Sequence, residues 1–265
     1  MNKKIAIIGG GNLGTAIAEG LVKSGFAKPE HIIITKRNIS TIRHLEKQGL
    51  LVSDDNKAAI GFADLVILAV KPFQVNAILS SLKSDFKEER HLLVSVITGV
   101  SIASMQEVLE KKIAMVRAMP NTAIAIQQSM TCICATNIEA DQLSYVEDLF
   151  NQLGRVVTIE EKLMDAATVL GACGIAYALR YIRANIQGGI EIGFDAHTAT
   201  LIAAQTVKGA AELIIQTGRH PEQEIDKVTT PKGCTIAGLN EMEHQGFSSS
   251  LIKGITASYV KIAKD

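Results

Sequence analysis

The sequence Ile5-Ala6-Ile7-Ile8-Gly9-Gly10-Gly11-Asn12-Leu13-Gly14 determines the fold of this chain. A short apolar run ends in three glycines and is followed at once by residues with helical spacing, which predicts a strand, a tight turn and a helix. Gly9, Gly11 and Gly14 fit the G-x-G-x-x-G spacing, in which a pyrophosphate approaches the backbone and faces the amides at the helix N-terminus. A glycine-rich turn without a ligand is the alternative. The order of strand, turn and helix favours a dinucleotide.

Composition limits the possible partners and locations of the protein. Its 265 residues allow one large or two ordinary domains, and 27 basic side chains balance 27 acidic ones, so bulk charge suggests no nucleic-acid or membrane partner. Ile5 to Ile8 runs directly into glycines rather than forming a leader, so we expect a cytoplasmic protein. The longest nearly uncharged stretch, residues 166–179, is predicted to be a buried helix or helix pair that is too short to span a bilayer.

Cysteine and histidine are arranged without the spacing of a metal site. Cys132, Cys134, Cys173 and Cys234 form no paired ligand motif, and they occur without a secretory signal, so we expect reduced and mostly packed thiols. The six histidines are scattered along the chain. We therefore expect no bound metal.

The residues after the second strand indicate which dinucleotide binds. The run Ile32 to Thr35 ends in Lys36 and Arg37, at the place where an NAD-binding unit usually has an acidic residue for the ribose 2′-hydroxyl. A carboxylate would repel a 2′-phosphate, whereas a guanidinium binds it. The sequence therefore favours NADP. A solvated pair of surface cations is the alternative.

Further apolar runs alternate with helical patterns and predict a mostly parallel sheet that is covered on both faces. Two of these runs end in candidate site motifs, Ala69-Val70-Lys71-Pro72 and Met119-Pro120-Asn121-Thr122. Strand carboxyl ends face the ligand crevice in such sheets, so we expect both motifs near the cofactor. The predicted strands beyond the first two are residues 50–52, 65–70, 92–97, 113–118, 130–135 and 156–158.

Helical patterns dominate from residue 160 onward and predict long helices at residues 163–183, 185–193 and 196–217. We place a Rossmann-like domain at residues 1–158 and an all-α domain at residues 159–265, packed directly because no Ser-, Gly- or Pro-rich linker separates them. Glycine and alanine recur along the second half, and glycine in a helix costs about 1 kcal/mol relative to alanine. Close helix packing in an intertwined dimer, or ordinary packing inside a monomer, would explain them.

The segment Thr229-Thr230-Pro231-Lys232-Gly233-Cys234-Thr235 is a hydroxyl-rich loop that leads into a helix beginning near Ile236. Such a loop offers amides and hydroxyls to an anion, for example a substrate carboxylate. The three threonines are equally explained as helix-capping residues without a ligand.

Together these motifs resemble the pyrroline-5-carboxylate reductases, the enzymes of the last step of proline biosynthesis. The resemblance runs nearly from end to end, through the glycine turn, residues 69–72, Arg117 to Thr122, Gln205 to Gly209 and Val228 to Thr235. It implies a Rossmann domain followed by a helical domain that forms a homodimer, often within larger rings. It also implies hydride transfer from NADPH, preferred over NADH, to the imine carbon of 1-pyrroline-5-carboxylate, which gives L-proline.

The resemblance also assigns roles to residues that match the family motifs. The pyrophosphate would contact Gly9, Gly11, Asn12, Leu13 and Gly14, and the 2′-phosphate would contact Lys36 and Arg37. The adenosine or ribose side would be lined by Ala69, Lys71 and Pro72. Asn121 and Thr122 would lie nearer the nicotinamide. The substrate carboxylate and imine nitrogen would be held by Thr230, Gly233, Cys234 and Thr235, contributed by the partner subunit.

The chain departs from the family pattern in three places. Residues 172–177 read Ala-Cys-Gly-Ile-Ala-Tyr where the family commonly has Gly-Ser-Gly-Pro-Ala-Tyr, and Ala123 replaces a frequent proline. Lys232 replaces a glycine, which disfavours a positive φ there and adds a cation near an anionic substrate. These differences leave room for a related imine substrate.

Reduction of a cyclic imine needs a hydride donor over the carbon and a hydrogen-bond or proton donor at the nitrogen. We expect Thr235 to be the nitrogen partner, through hydrogen bonding or a relay from water, because a threonine hydroxyl is too weak an acid to act alone. Two alternatives remain. One is an NADP-dependent reductase of another cyclic imine or keto acid, and the other is a dinucleotide sensor without catalytic activity.

Overall fold

A computed structural model describes residues 3–262, in which eight strands form one sheet. The strands are β1 (Ile5–Ile8), β2 (Ile32–Thr35), β3 (Leu51–Ser53), β4 (Leu65–Leu68), β5 (Leu92–Ser95), β6 (Ala114–Met119), β7 (Ser129–Thr136) and β8 (Gly154–Thr158). Their order across the sheet is β3-β2-β1-β4-β5-β6-β7-β8. The order reverses between β1 and β4, which creates the crevice where doubly wound sheets bind ligands.

Helices cover both faces of this sheet. They are α1 (Asn12–Lys23), α2 (Asn56–Phe62), α3 (Val75–Leu82), α4 (Ile102–Leu109) and α5 (Ala140–Asn151). β1, β2, β4 and β5 are mostly aliphatic and are buried along their whole length because both of their faces are covered. One apolar cluster contains Ile5 and Ile7 and the other contains Ala6 and Ile8, so alternate residues of β1 point into opposite cores. The predicted doubly wound fold is confirmed.

One pair of strands departs from the parallel arrangement. β6 and β7 are antiparallel, and Arg117 pairs with Cys134 in the centre of the ladder. Only a short turn, Thr122–Ile126, occupies the connection between them. A parallel crossover requires about a dozen residues or more, so this short connection folds back directly.

The second half of the chain is helical. Its helices are α6 (Met164–Ala167), α7 (Gly174–Glu191), α8 (Ala196–Thr217), α9 (Pro221–Lys227), α10 (Cys234–His244) and α11 (Phe247–Ile262), and a π-helical turn (Thr168–Cys173) joins α6 to α7. Two compact units result, one reaching Cys173 and the other comprising Gly174–Lys261. The boundary expected after residue 158 stays a prediction.

The helical run 161–191 corrects two sequence-based expectations. It is a single run of 31 residues in which a window of 18 residues reaches a mean hydropathy of 1.3. By length and composition alone this run could span a membrane, whereas the uncharged stretch 166–179 was expected to be too short. The expected break near residue 184 is absent because Ala184 continues α7. None of the residues of α7 is buried in the protomer, including the apolar Leu179 and Ile190.

The small residues of the helical unit have different surroundings. A Cβ on Gly189 of α7 would lie 3.1 Å from the Cβ of Ala199 on α8, so glycine lets these two helices approach closely within the protomer. Gly188 and Gly209 face open space instead. Packing inside the protomer therefore explains the glycine at position 189 but not Gly188 or Gly209.

Candidate active site

The glycine turn is fixed against the end of β2. The amides of Gly9 and Gly10 donate to the carbonyl of Thr35, at 3.2 and 2.7 Å. The first-turn amides of α1, on Asn12, Leu13 and Gly14, have no acceptor in their own helix, because helical bonding starts one turn later. No acidic side chain occupies this turn. The N-terminus of α1 is therefore open to an anion.

The turn has the dimensions that a pyrophosphate requires. A Cβ on Gly14 would collide with the carbonyl oxygen of Gly9, so only glycine lets α1 pack this closely on the turn. Gly9 has a φ of +116°, and a Cβ there would lie 2.7 Å from the carbonyl carbon of Ala69. By contrast, a Cβ on Gly11 would meet no atom within 4 Å and would project into the open space beside the amides. The turn therefore fits a bound dinucleotide.

Two cations lie beside the turn, at the carboxyl end of β2. Lys36 is half-buried and Arg37 is exposed, and neither side chain forms an ion pair within the described residues 3–262. The amide of Lys36 donates to Ser53 at 3.0 Å, which fixes the backbone there. Both ammonium and guanidinium groups are thus available to a 2′-phosphate.

The segment after β4 lines the other side of the glycine turn. The amide of Ala69 donates to the carbonyl of Ile8 at 2.9 Å, and Val70 lies against Gly9. Lys71 and Pro72 follow and are exposed. The structure therefore brings the candidate residues of β1, β2 and β4 together at one edge of the sheet.

Asn121 follows β6, and its side chain makes internal hydrogen bonds. Its Oδ1 accepts from the amide of Ala123 at 3.0 Å, and its Nδ2 donates to the carbonyl of Gly171 in the π-helical turn at 3.2 Å. The residue is 8% exposed, whereas Thr122 is exposed. The side chain of Asn121 therefore anchors the chain locally, and its role toward the nicotinamide stays a prediction.

The hydroxyl-rich loop belongs to the helical unit. The Thr229 hydroxyl donates to Ile225 at 2.8 Å and so caps α9, as the alternative interpretation predicted for this residue. The hydroxyls of Thr230 and Thr235 make no hydrogen bond within residues 3–262. Gly233 is the N-cap of α10, which begins at Cys234. Two hydroxyls and the first amides of α10 thus remain available to a ligand.

The backbone at Lys232 differs from the expectation. Lys232 has a φ of +62°, although a lysine was expected to disfavour a positive angle. The amide of Gly233 donates to the carbonyl of Thr230 at 2.9 Å, which closes a turn with Pro231 and Lys232 in the middle. Proline followed by a residue with positive φ is typical of a type II turn. The turn thus imposes the angle on lysine.

An ion pair between a buried arginine and a partly exposed glutamate was not assigned a role from the sequence. Arg117 on β6 is 5% exposed, and its Nη1 donates to Oε1 of Glu161 at 2.9 Å. The same oxygen accepts the first amide of α4, on Ile102, at 2.8 Å. The signal was the charge of Arg117 inside an otherwise apolar strand, because such a residue requires a partner.

Asn56 is another residue at this site that the sequence did not single out. The Thr35 hydroxyl at the end of β2 donates to its Oδ1 at 2.6 Å, which places the side-chain amide at the same edge as Lys36.

The thiols of Cys132 and Cys134 are packed, and burial raises the pKa of both. Within the described part of the chain no group of three or more His, Cys, Asp or Glu side chains is placed to hold a metal ion.

Comparison with known proteins identifies the family. Residues 161–264 match the model for pyrroline-5-carboxylate reductase dimerisation, and residues 4–99 match that for NADP oxidoreductase, coenzyme F420-dependent. Pyrroline-5-carboxylate reductase 2 of Dictyostelium discoideum is 44% identical over 99% of this chain and 93% of its own length. The chain belongs to the pyrroline-5-carboxylate reductase family. The predicted resemblance is confirmed.

Other members of the pyrroline-5-carboxylate reductase family agree. Pyrroline-5-carboxylate reductase 1 of D. discoideum is 49% identical over 98% of this chain, which spans only 49% of that relative's length. The solved pyrroline-5-carboxylate reductase of Coxiella burnetii has a TM-score of 0.93 at 30% identity, covering 100% of this chain and 98% of its own. The Plasmodium falciparum pyrroline carboxylate reductase, solved with NADP bound, has a TM-score of 0.87 at 27% identity, covering 98% and 97%.

Membership of the pyrroline-5-carboxylate reductase family confirms three further predictions. The fold is a Rossmann-like sheet followed by a helical dimerisation region, the protein is an NAD(P)H-dependent oxidoreductase, and its cofactor is NADP. The dimerisation region contains the exposed apolar helix α7 and supports the predicted homodimer. Its exposed leucines and isoleucines are suited to burial against a second copy.

Proposed function

We propose that this protein reduces 1-pyrroline-5-carboxylate to L-proline, the last step of proline biosynthesis. The observation that supports this most strongly is the match along nearly the whole chain to a relative that is 44% identical. NADPH supplies the hydride when it is bound. The imine carbon receives that hydride, the nitrogen receives a proton, and the product is a secondary amine.

The residues of this chain bind and orient the reactants. The open amides of α1 hold the pyrophosphate, and Lys36 and Arg37 bind the 2′-phosphate and so favour NADPH over NADH. Ala69, Lys71 and Pro72 line the adenosine side. The substrate loop, residues 230–235, binds the carboxylate and sets which face of the imine is presented. The partner subunit contributes this loop.

Absorbance of NADPH with purified protein tests the proposal. We expect NADPH absorbance to fall rapidly with 1-pyrroline-5-carboxylate. We expect slower oxidation when NADH replaces NADPH, and slower oxidation of NADPH when the six-membered piperideine analogue replaces the substrate. Binding of NADPH without turnover of any imine would favour a dinucleotide sensor. Turnover of another imine or a keto acid alone would reassign the substrate.

We also propose that the homodimers assemble into a ring and that the protein is cytoplasmic. Light scattering tests the assembly, and cell fractionation tests the location.

Replacing Thr235 by alanine is expected to lower kcat by about 100-fold, the usual cost of removing one hydrogen-bond donor at a developing charge. The hydroxyl of Thr235 is half-buried and makes no hydrogen bond within residues 3–262, so it is available to the imine nitrogen. Steady-state kinetics at saturating substrate measures the effect. Thr235→Ser should restore most of the rate, and Thr229→Val is the control because that hydroxyl bonds to Ile225. An unchanged kcat would remove Thr235 from the mechanism.

Replacing Lys232 by asparagine is expected to raise KM for the anionic imine by about 2- to 5-fold and to leave kcat unchanged. The lysine is exposed, so the expected effect is that of a surface charge pair. Asparagine tolerates a positive φ, so this variant removes the charge and keeps the turn. Lys232→Gly removes both the charge and the backbone strain and should show the same KM with a higher midpoint in thermal unfolding. An unchanged KM in both variants would show that the cation does not act on the substrate.

A further inference from the structure

Phe73 is the most exposed large apolar side chain among the described residues. Its exposed fraction is 83%, above Ile192 at 78% and Leu170 at 70%. Phe73 lies in the dinucleotide-binding unit, outside the helical dimerisation region. A phenylalanine has a large apolar surface to remove from water, and burying it fully is worth about 1.5–3 kcal/mol. An exposed aromatic ring at a fixed position therefore suggests a ligand that covers it.

Hydrogen bonds fix the backbone of the turn that carries Phe73, while its ring stays exposed. Phe73 is the middle residue of a short turn, Pro72–Gln74, that leads into α3. The amide of Gln74 donates to Lys71 at 2.9 Å, and the amide of Lys71 donates to the Gln74 side chain at 3.3 Å. The apolar face of α3 packs into the core through Val75, Leu79 and Leu82. Phe73 precedes that face and takes no part in the core.

The turn begins beside the phosphate-binding glycines. Ala69 is hydrogen-bonded to Ile8, and a Cβ on Gly9 would lie 3.0 Å from Cγ1 of Val70. Phe73 therefore lies three residues after Val70, which contacts the glycine turn. β1 lies between β2, with Lys36 and Arg37 at its end, and β4, with Phe73 after its end. The adenosine that carries the 2′-phosphate must occupy this end of the crevice.

We propose that Phe73 is a stacking surface for the adenine ring of NADPH. This inference rests on the proposed function only in requiring NADPH as the cofactor. Adenine has two flat apolar faces that need cover, and an aromatic side chain provides it with little loss of side-chain freedom. Lys71, two residues earlier, adds a cation at the same rim. The nicotinamide end of the cofactor is not involved.

Dissociation constants measured by NADPH fluorescence test this proposal without any imine. Phe73→Ala is expected to weaken NADPH and 2′-phospho-ADP-ribose equally, by about 10-fold, as for loss of one stacked base. Binding of nicotinamide mononucleotide should not change. Phe73→Tyr should retain wild-type affinity. The control is Val157→Ala, which removes an exposed apolar side chain from β8 at the far edge of the sheet.

Several results would overturn the assignment. A change of less than 2-fold in Phe73→Ala, or an equal loss in Val157→Ala, would exclude stacking at this position. Unchanged NADPH affinity together with a smaller assembly in light scattering would assign Phe73 to a protein interface. If wild-type protein binds NADPH but reduces no pyrroline, the proposed function is wrong. The NADPH affinity of Phe73→Ala relative to wild type still tests the stacking proposal in that case.

Discussion

Replacing Gly14 by alanine is expected to weaken NADPH binding strongly and to destabilise the dinucleotide-binding unit. The added Cβ would collide with the carbonyl oxygen of Gly9, so α1 must move away from the turn. Displacement of α1 shifts the open amides of Asn12 and Leu13 away from the pyrophosphate. We expect at least a 100-fold rise in the dissociation constant, measured by fluorescence titration, because a shift of about 1 Å at such a site has effects of this size.

Gly11→Ala is the matched control because its Cβ meets no protein atom within 4 Å. This variant should unfold at the wild-type temperature, since no contact is strained. It should nevertheless bind NADPH more weakly, because its methyl group occupies the space beside the amides. Wild-type affinity in Gly11→Ala would show that the pyrophosphate does not lie over this turn. Wild-type stability and affinity in Gly14→Ala would show that α1 can relax freely.

Replacing Glu161 by alanine is expected to lower the free energy of unfolding by about 2–3 kcal/mol. The change leaves the guanidinium of Arg117, 5% exposed, without its carboxylate, and the first amide of α4 without its acceptor. Breaking a fully buried pair costs about 3–5 kcal/mol. The side chain of Glu161 is 38% exposed, so solvent screening makes the expected loss smaller. Urea unfolding at fixed protomer concentration measures it.

The double variant Arg117→Met with Glu161→Ala tests the cause of that loss. Methionine is apolar and of similar length, so it removes the unpaired charge while filling part of the same space. The double variant should therefore be more stable than Glu161→Ala alone. If the two changes are simply additive, the cost of Glu161→Ala arises from the lost α4 amide bond and not from the buried charge.

All eight strands and the glycine turn could be predicted from sequence because each depends on local patterns. β1 and β2 have the predicted limits, Ile5–Ile8 and Ile32–Thr35, since aliphatic runs end at glycine and at a lysine-arginine pair. The turn depends on glycine spacing, which the sequence displays directly. Strand ends were less accurate. β4 ends at Leu68 rather than Val70, because Ala69 and Val70 leave the sheet to pack beside Gly9.

The helical half was less predictable because many of its apolar side chains are exposed in the protomer. Residues 185–193 were expected as a separate helix, yet α7 continues from Gly174 to Glu191. The exposed apolar residues of α7 are suited to burial by a second copy, so the packing of this helix cannot be predicted from one protomer alone. Lys232 has a positive φ although lysine disfavours it, because closure of the turn by Thr230 and Gly233 outweighs the preference of one residue.

The sequence by itself determined the family, the dinucleotide-binding unit and the cofactor NADP, because these depend on residue identity at fixed spacing along the chain. Only the tertiary structure revealed that Arg117 pairs with Glu161, that Asn121 bonds to Gly171 and that Phe73 stands exposed in the turn after β4. Arg117 and Glu161 are 44 residues apart in the chain and Asn121 and Gly171 are 50 apart. Contacts of this kind arise from the order of strands across the sheet, and no local pattern encodes that order.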